Sequence, residues 1–294
     1  MRAQVTPILI ALLSALAGCG DGGDSDTPTG SGSAERDRPV VLATTTSTQD
    51  SGLLDELVPA FERESGYQVK TIAVGSGEAI ELGSRGEADV LLVHSPDAEE
   101  ELMARGKAAQ RRLVMHNDFV IAGSADDPAS IRGAGSPTDA LTAIAEADAP
   151  FVSRGDDSGT HALELELWEE AGVKPAGDWY EETGQGMGAT LRIADQRRAY
   201  TLADRGTYLS TSDSTDLDVL VEGDPSLLNI YHVIDVAPDA GPRVNAEGGR
   251  AFARWIVSRE AQRTIGRFGR AEFGRPLFVP DAGRTEQQVV AAGG

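Results

Sequence analysis

Three times in this chain a short apolar run gives way to a cluster of Gly, Ser and Thr, and then to a helix-like pattern. Val40-Val41-Leu42-Ala43 leads into Thr44-Thr45-Thr46-Ser47-Thr48, with a helical pattern from about Leu53. Thr71-Ile72-Ala73-Val74 leads into Gly75-Ser76-Gly77, then Glu78-Ala79-Ile80. Phe151-Val152 leads into Ser153-Arg154-Gly155-Asp156-Asp157-Ser158-Gly159-Thr160 and a third helical pattern. A strand that ends this way presents free backbone N–H groups and hydroxyls at the positive end of a helix, which suits an anion. Three such junctions predict one anion held from several sides. They also predict alternating β and α units, hence parallel sheets flanked by helices, with ligands at the carboxyl ends of the strands.

The periodicity fills in this frame. Leu53, Leu54, Leu57, Val58 and Phe61 fall on one helical face, which Ser65-Gly66 stops. Strands are expected at 40–43, 67–74, 88–93, 207–210 and 229–236, and a long extended segment at 113–122. Helices are expected at 97–105, 141–147, 162–171, 189–203 and 252–268. The extended segments 113–122 and 229–236 read as paired crossovers between two lobes. Lobe one is then 39–117 plus 235–294, and lobe two is 118–234. With 294 residues the chain is long enough for two modest cores.

The first residues belong to no fold. Val5 to Ala17 is apolar but short for a membrane span, and reads as the core of a signal peptide covering 1–18. It ends at Leu16-Ala17-Gly18-Cys19, which resembles a bacterial lipoprotein signal and implies a lipid on Cys19 and a membrane anchor. Cys19 is the only cysteine, so no intrachain disulfide is available. Residues 19–38 have almost no apolar side chains and read as a flexible tether.

The formal net charge is −21, with three lysines against twenty-three arginines. No basic stripe exists to neutralise phosphates, which argues against nucleic acid. Scarce lysine fits a salt-adapted surface, or GC-rich coding that favours arginine. An anion site on such a chain cannot rely on global attraction and must work through local dipoles and hydrogen bonds.

Thr44-Thr45-Thr46-Ser47 followed by Asp50-Ser51-Gly52-Leu53-Leu54 resembles the opening of the periplasmic tungstate-binding proteins of ABC uptake systems. The run from Ser153 to His161 resembles their central motif. Gly186-Met187-Gly188-Ala189-Thr190-Leu191 and Tyr200-Thr201-Leu202-Ala203-Asp204-Arg205-Gly206-Thr207-Tyr208 resemble two further blocks, in the family's order. The resemblance implies an α/β, two-lobed periplasmic-binding-protein fold, each lobe a mostly parallel sheet flanked by helices, with a two-segment hinge. It implies a monomer that captures tungstate, or molybdate, and delivers it to an ABC permease, with no cofactor and no metal other than the oxyanion.

These oxyanions are fully deprotonated at neutral pH and only accept hydrogen bonds. Thr45, Thr46, Ser47 and Ser76 offer donors from lobe one. Ser158, Gly159 and Thr160 offer them at a helix start in lobe two. Arg154 offers a charge-assisted contact, or pairs with Asp156 or Asp157 and shapes the loop. Thr190 is a ligand or a cap, and His161 is placed to line the cleft. His94, His116, His161 and His232 show no metal-ligand spacing. Two other readings stand beside this one. Phosphate or sulfate could occupy the same fold. Ser158 and His161 suggest a hydrolase, although the motif lacks the Gly-x-Ser-x-Gly elbow.

Overall fold

The computed structural model describes residues 38–293. The expected signal peptide, Cys19 and the tether to residue 37 lie outside the described residues. Three β-branched runs form a parallel centre: β1 (Val40–Thr45) lies between β2 (Val69–Val74) and β3 (Val90–Val93), with Leu42 opposite Thr71 and Val90. Each strand passes at its carboxyl end into a helix. These are α1 (Thr46–Asp50), which runs on to α2 (Leu53–Ser65), then α3 (Ser76–Ser84) and α4 (Pro96–Ala104). α2 buries Leu53, Leu54, Leu57 and Phe61, and Gly66 at φ 78° ends it as a left-handed cap that a side chain would strain.

The next strand, β4 (Ala108–Ser124), is seventeen residues long and serves two neighbourhoods. After it come α5 (Pro137–Glu146), β5 (Phe151–Ser153), α6 (Gly159–Glu170), β6 (Tyr180–Glu182), α7 (Met187–Arg197), β7 (Thr201–Asp204) and α8 (Arg205–Thr211). β8 (Leu217–Val221), β9 (Leu228–Val236), α9 (Ala246–Ile256), α10 (Arg259–Ile265), α11 (Arg270–Phe273), β10 (Val279–Pro280) and α12 (Glu286–Gly293) complete the chain. The main path is β10-β4-β9-β3-β1-β2. Residues 108–118 of β4 pair with β9, while its far end pairs with β7 and β8.

Apolar side chains gather on either side of this division. Two clusters, around Leu42, Phe61, Leu92 and Phe252 and around Ala43, Leu91 and Ile234, cover the β1–β3 part. Two others, around Phe151, Trp168 and Tyr200 and around Val152, Leu191 and Ala203, cover the β7–β8 part. None of the described helices is long and apolar enough to cross a membrane.

The α/β class with flanking helices is as expected, but the sheet is mixed rather than mostly parallel. β9 runs antiparallel to both β3 and β4, and β7, β8 and β10 are antiparallel to β4. Two crossovers running in opposite directions must pair that way. The expected strand at 207–210 is the helix α8, and the strand lies just before it in β7. The expected helix 189–203 stops at Arg197, where Arg198 turns left-handed at φ 54° and frees Thr201–Asp204 to pair with β4. The expected helix 252–268 is two helices, because the Ser258 hydroxyl accepts from Ala261 N–H and starts a new one. No expectation covers β6, β8, β10, α1, α11 or α12; all but the eight-residue α12 are five residues or fewer.

Candidate functional site

The first junction folds into a hydroxyl cluster. Thr45 ends β1 in extended backbone and caps α1, its Oγ1 accepting from Thr48 N–H at 3.2 Å. The same oxygen lies 2.6 Å from Thr48 Oγ1, 3.1 Å from Ser47 Oγ and 3.3 Å from His94 Nε2. Thr45, Ser47 and Thr48 are buried, and Thr46, the first residue of α1, is half-buried. His94 follows β3 and packs at a tilt of 42° against Tyr231, with ring centroids 4.7 Å apart. Burial pushes its pKa down to about 4, so the ring is neutral.

The second and third junctions meet at one point. Gly159 opens α6, and a Cβ built there would stand 3.1 Å from Ser76 Oγ, 3.0 Å from His94 Cε1 and 3.2 Å from His94 Nδ1. Only glycine lets the start of α6 come this close to α3 and His94. Ser76 Oγ, His94 Nδ1, Thr160 Oγ1 and His161 Nε2 are all buried without a hydrogen-bond partner among the described residues. His161 Nδ1 accepts from Asp157 N–H at 3.2 Å, which puts the ring proton on the unpartnered Nε2. Unmade hydrogen bonds in a buried place are costly. Four of them at the starts of α3 and α6 and the end of β3 mark a place built to hold acceptor atoms.

Ser158 caps α6, its Oγ accepting from His161 N–H at 3.3 Å. By helical geometry the N–H groups of Gly159 and Thr160 have no partner within α6. The loop before it is shaped by its own ion pair. Arg154 is buried, and its Nε donates to Asp156 Oδ2 at 3.1 Å, while Asp156 Oδ1 accepts from Ser158 N–H at 3.2 Å. Gly155 must be glycine here, since φ is +58° and a Cβ would stand 2.6 Å from Glu182 Cβ. The Arg154 charge is felt further off. It lowers the carboxyl pKa values of Asp50 and Asp204, although burial holds both above the usual range. A cavity of about 410 Å³ is lined by Asp50 of α1, Gly188 and Arg192 of α7 and Thr207 of α8 among others.

Of the residues expected at the site, Thr45, Ser47, Ser76, Ser158 and Gly159 are therefore joined directly or through His94 and the α6 start, and Thr160 holds an orphaned hydroxyl. Arg154 engages Asp156, the loop-shaping arrangement. Thr190 is excluded as a donor, because its Oγ1 donates back along α7 to Gly186 O at 3.2 Å and Gln185 O at 3.3 Å. Arg205 is spent on Asp118 at 2.6 Å and Arg197 on Glu181 at 2.9 Å. His116 pairs with Asp281 at 2.6 Å, and His232 sits between Glu99 and Glu286. His94 was not singled out by sequence; no Gly, Ser or Thr precedes it to flag the turn. No Ser–His pair is formed by side chains, since Ser158 meets the His161 backbone and not its ring.

The model of the PBP (periplasmic-binding-protein) superfamily domain matches residues 26–260. The chain is 47% identical to the tungstate-binding protein TupA of Peptoclostridium acidaminophilum over 287 residues, 97% of this chain and all of that one. Its structure resembles the tungstate ABC transporter protein from Geobacter sulfurreducens at a TM-score of 0.72 and 44% identity, covering 79% of this chain and 99% of that one. It also resembles the tungstate-binding protein TupA from Desulfovibrio alaskensis G20 at a TM-score of 0.71 and 42% identity, covering 83% and 100%.

Proposed function

Since this chain belongs to the PBP superfamily and groups there with the tungstate-binding proteins, we propose that it is the extracytoplasmic substrate-binding component of an ABC transporter for tungstate. In this reading residues 39–117 with 235–294, and residues 118–234, act as two lobes hinged on β4 and β9. They close on the oxyanion and present it to the permease, with Cys19 as a lipid anchor and the protein working as a monomer. The one observation that carries the reading is the set of buried hydroxyl and imidazole groups left unpaired where α3, α6 and the end of β3 converge.

The proposed contacts are Thr45, Thr46 and Ser47 at α1, Ser76 at α3, and Ser158, Gly159 and Thr160 at α6. Hydroxyls and backbone N–H groups at helix starts supply donors without mobile charge. Arg154, held by Asp156, supplies a buried positive charge and offsets Asp50 and Asp204. Once the lobes have closed, a dianion sits among donors whose backbone is fixed in advance, so only hydroxyl and ring protons need turn.

Calorimetric titration of the protein with tungstate, molybdate, sulfate and phosphate tests this. One-to-one binding of tungstate with weak sulfate and phosphate is the expected outcome, and the molybdate curve fixes selectivity. Absence of heat and of thermal stabilisation with all four, in a folded sample, would remove the oxyanion reading. Molybdate is nearly isosteric with tungstate and equally charged, and the same donors accommodate both.

A further inference from the structure

Among the unpaired atoms, His94 Nδ1 is set apart because an imidazole can either give or take a hydrogen bond there. Its other nitrogen, Nε2, lies 3.3 Å from Thr45 Oγ1, so the two ends of the ring are linked to different partners. The Thr45 hydroxyl has a single proton and four neighbours: Thr48 N–H, which can only donate to it, and Thr48 Oγ1, Ser47 Oγ and His94 Nε2. Two arrangements are open. If Nε2 holds the ring proton it donates to Thr45, and a lone pair on Nδ1 faces the start of α6. If Thr45 donates to Nε2, the proton is on Nδ1 and faces the start of α6 instead.

The geometry fixes what Nδ1 faces. Nδ1 and Ser76 Oγ lie 3.2 Å and 3.1 Å from a single point, one bond out from Gly159 Cα. That point is at the opening turn of α6, beside the free N–H groups of that turn and the unpartnered Ser76 hydroxyl. A lone pair on Nδ1 would repel an oxyanion held at this turn, beyond the glycine hydrogen, whereas an N–H would bind it. Asn229 also comes near the ring and raises its pKa; its two N–H groups go to Asn117 Oδ1 at 2.8 Å and Tyr231 Oη at 3.1 Å, so it can approach the ring only as an acceptor, which likewise favours a ring N–H. Nδ1 itself has no partner.

Resting on the oxyanion-receptor reading, we propose that His94 is a direct contact to the bound oxyanion through Nδ1–H, and that the anion selects this tautomer by turning the Thr45 hydroxyl toward Nε2. His94 is then the link through which anion binding sets the direction of the Thr45–Ser47–Thr48 hydroxyl chain. The packing against Tyr231 and the bond to Thr45 hold the ring; the bound acceptor decides its protonation pattern. A ring serving only as packing would have no preferred tautomer on binding.

The test is a two-bond ¹⁵N–¹H spectrum of the histidine-labelled protein, before and after saturation with sodium tungstate, with His94 assigned by His94→Phe. The expected result is a His94 ring protonated on Nδ1 and bare on Nε2 when tungstate is bound. Calorimetry on three variants adds a second reading. Asparagine's amide reaches the Nδ1 position and glutamine's the Nε2 position, so His94→Asn keeps most of the affinity. His94→Gln and His94→Phe each lose roughly tenfold, the value of one hydrogen bond. Tungstate binding with Nδ1 left unprotonated overturns the proposal, as does wild-type affinity in His94→Phe or equal losses in Asn and Gln. If the wild-type protein binds no tungstate, the receptor reading falls first, before any variant is measured, and the His94 contact falls with it.

Discussion

Ser76 carries two effects of opposite sign. Its buried Oγ has no partner, which costs stability, and in the proposed complex the same oxygen donates to the anion. Ser76→Ala should leave the anion-free protein as stable as wild type or more so, by up to about 1 kcal/mol, while tungstate binding weakens by about 1 kcal/mol. Thermal melting without anion and calorimetry with it separate the two. Arg154→Ala should act differently, since it removes the charge that opposes Asp50 and Asp204. Binding should weaken by about 2–5 kcal/mol, with unchanged affinity removing Arg154 from the site. Gly159→Ala sets a Cβ 3.0–3.2 Å from three atoms of Ser76 and His94, so α6 must retreat and affinity should fall severalfold. Ser76, Ser158 and Gly159 were legible in the sequence because glycine and hydroxyl residues mark the turns they occupy. His94 was not, because its placement depends on β3 and β9 bringing it onto Tyr231, and the two lie far apart in the chain.

At the scale of the element, α6 joins the site to the interior of the second core. Its residue Glu164 is buried, accepting from Trp168 Nε1–H at 3.2 Å and Tyr180 Oη–H at 2.8 Å. Burial pushes the Glu164 carboxyl up to about 7. Between its ordinary value and about 7 the unfolded chain has released a proton that the folded one keeps, so stability falls as pH rises through that interval and levels above it. Glu164→Gln keeps an acceptor for both donors and removes this dependence. Its stability should exceed that of wild type at pH 8 by on the order of 3 kcal/mol, and converge with it at acid pH in denaturant titrations. The elements themselves were readable where an amphipathic stripe or a long apolar run was present, as in α2, β3, β4 and β9. They were misread where tertiary pairing decided. Thr201–Asp204 has no distinctive pattern and is a strand because β4 offers it an edge. Thr207 has a strand-like side chain, yet its N–H donates to Asp204 Oδ1 at 2.8 Å and so opens a helix.

For the whole molecule the charge of −21 opposes the approach of a dianion even though the site itself favours it. Capture of tungstate should therefore quicken severalfold from low to high salt, the reverse of a receptor steered by its global field, as stopped-flow association rates can measure. A rate that falls with salt would mean that the local field of Arg154 extends beyond the acidic surface. The other molecular fact is that neither core owns a complete sheet. β4 runs unbroken through the junction, one end paired with β9 and the other with β7 and β8. Drawn apart by its ends in an optical trap, such a body has no weak seam at which one half could let go first. The force should be borne by both halves together and released in a single rupture. In the proposed receptor, closing around a cargo would then have to flex that stiff ribbon, which would spring back when the cargo leaves.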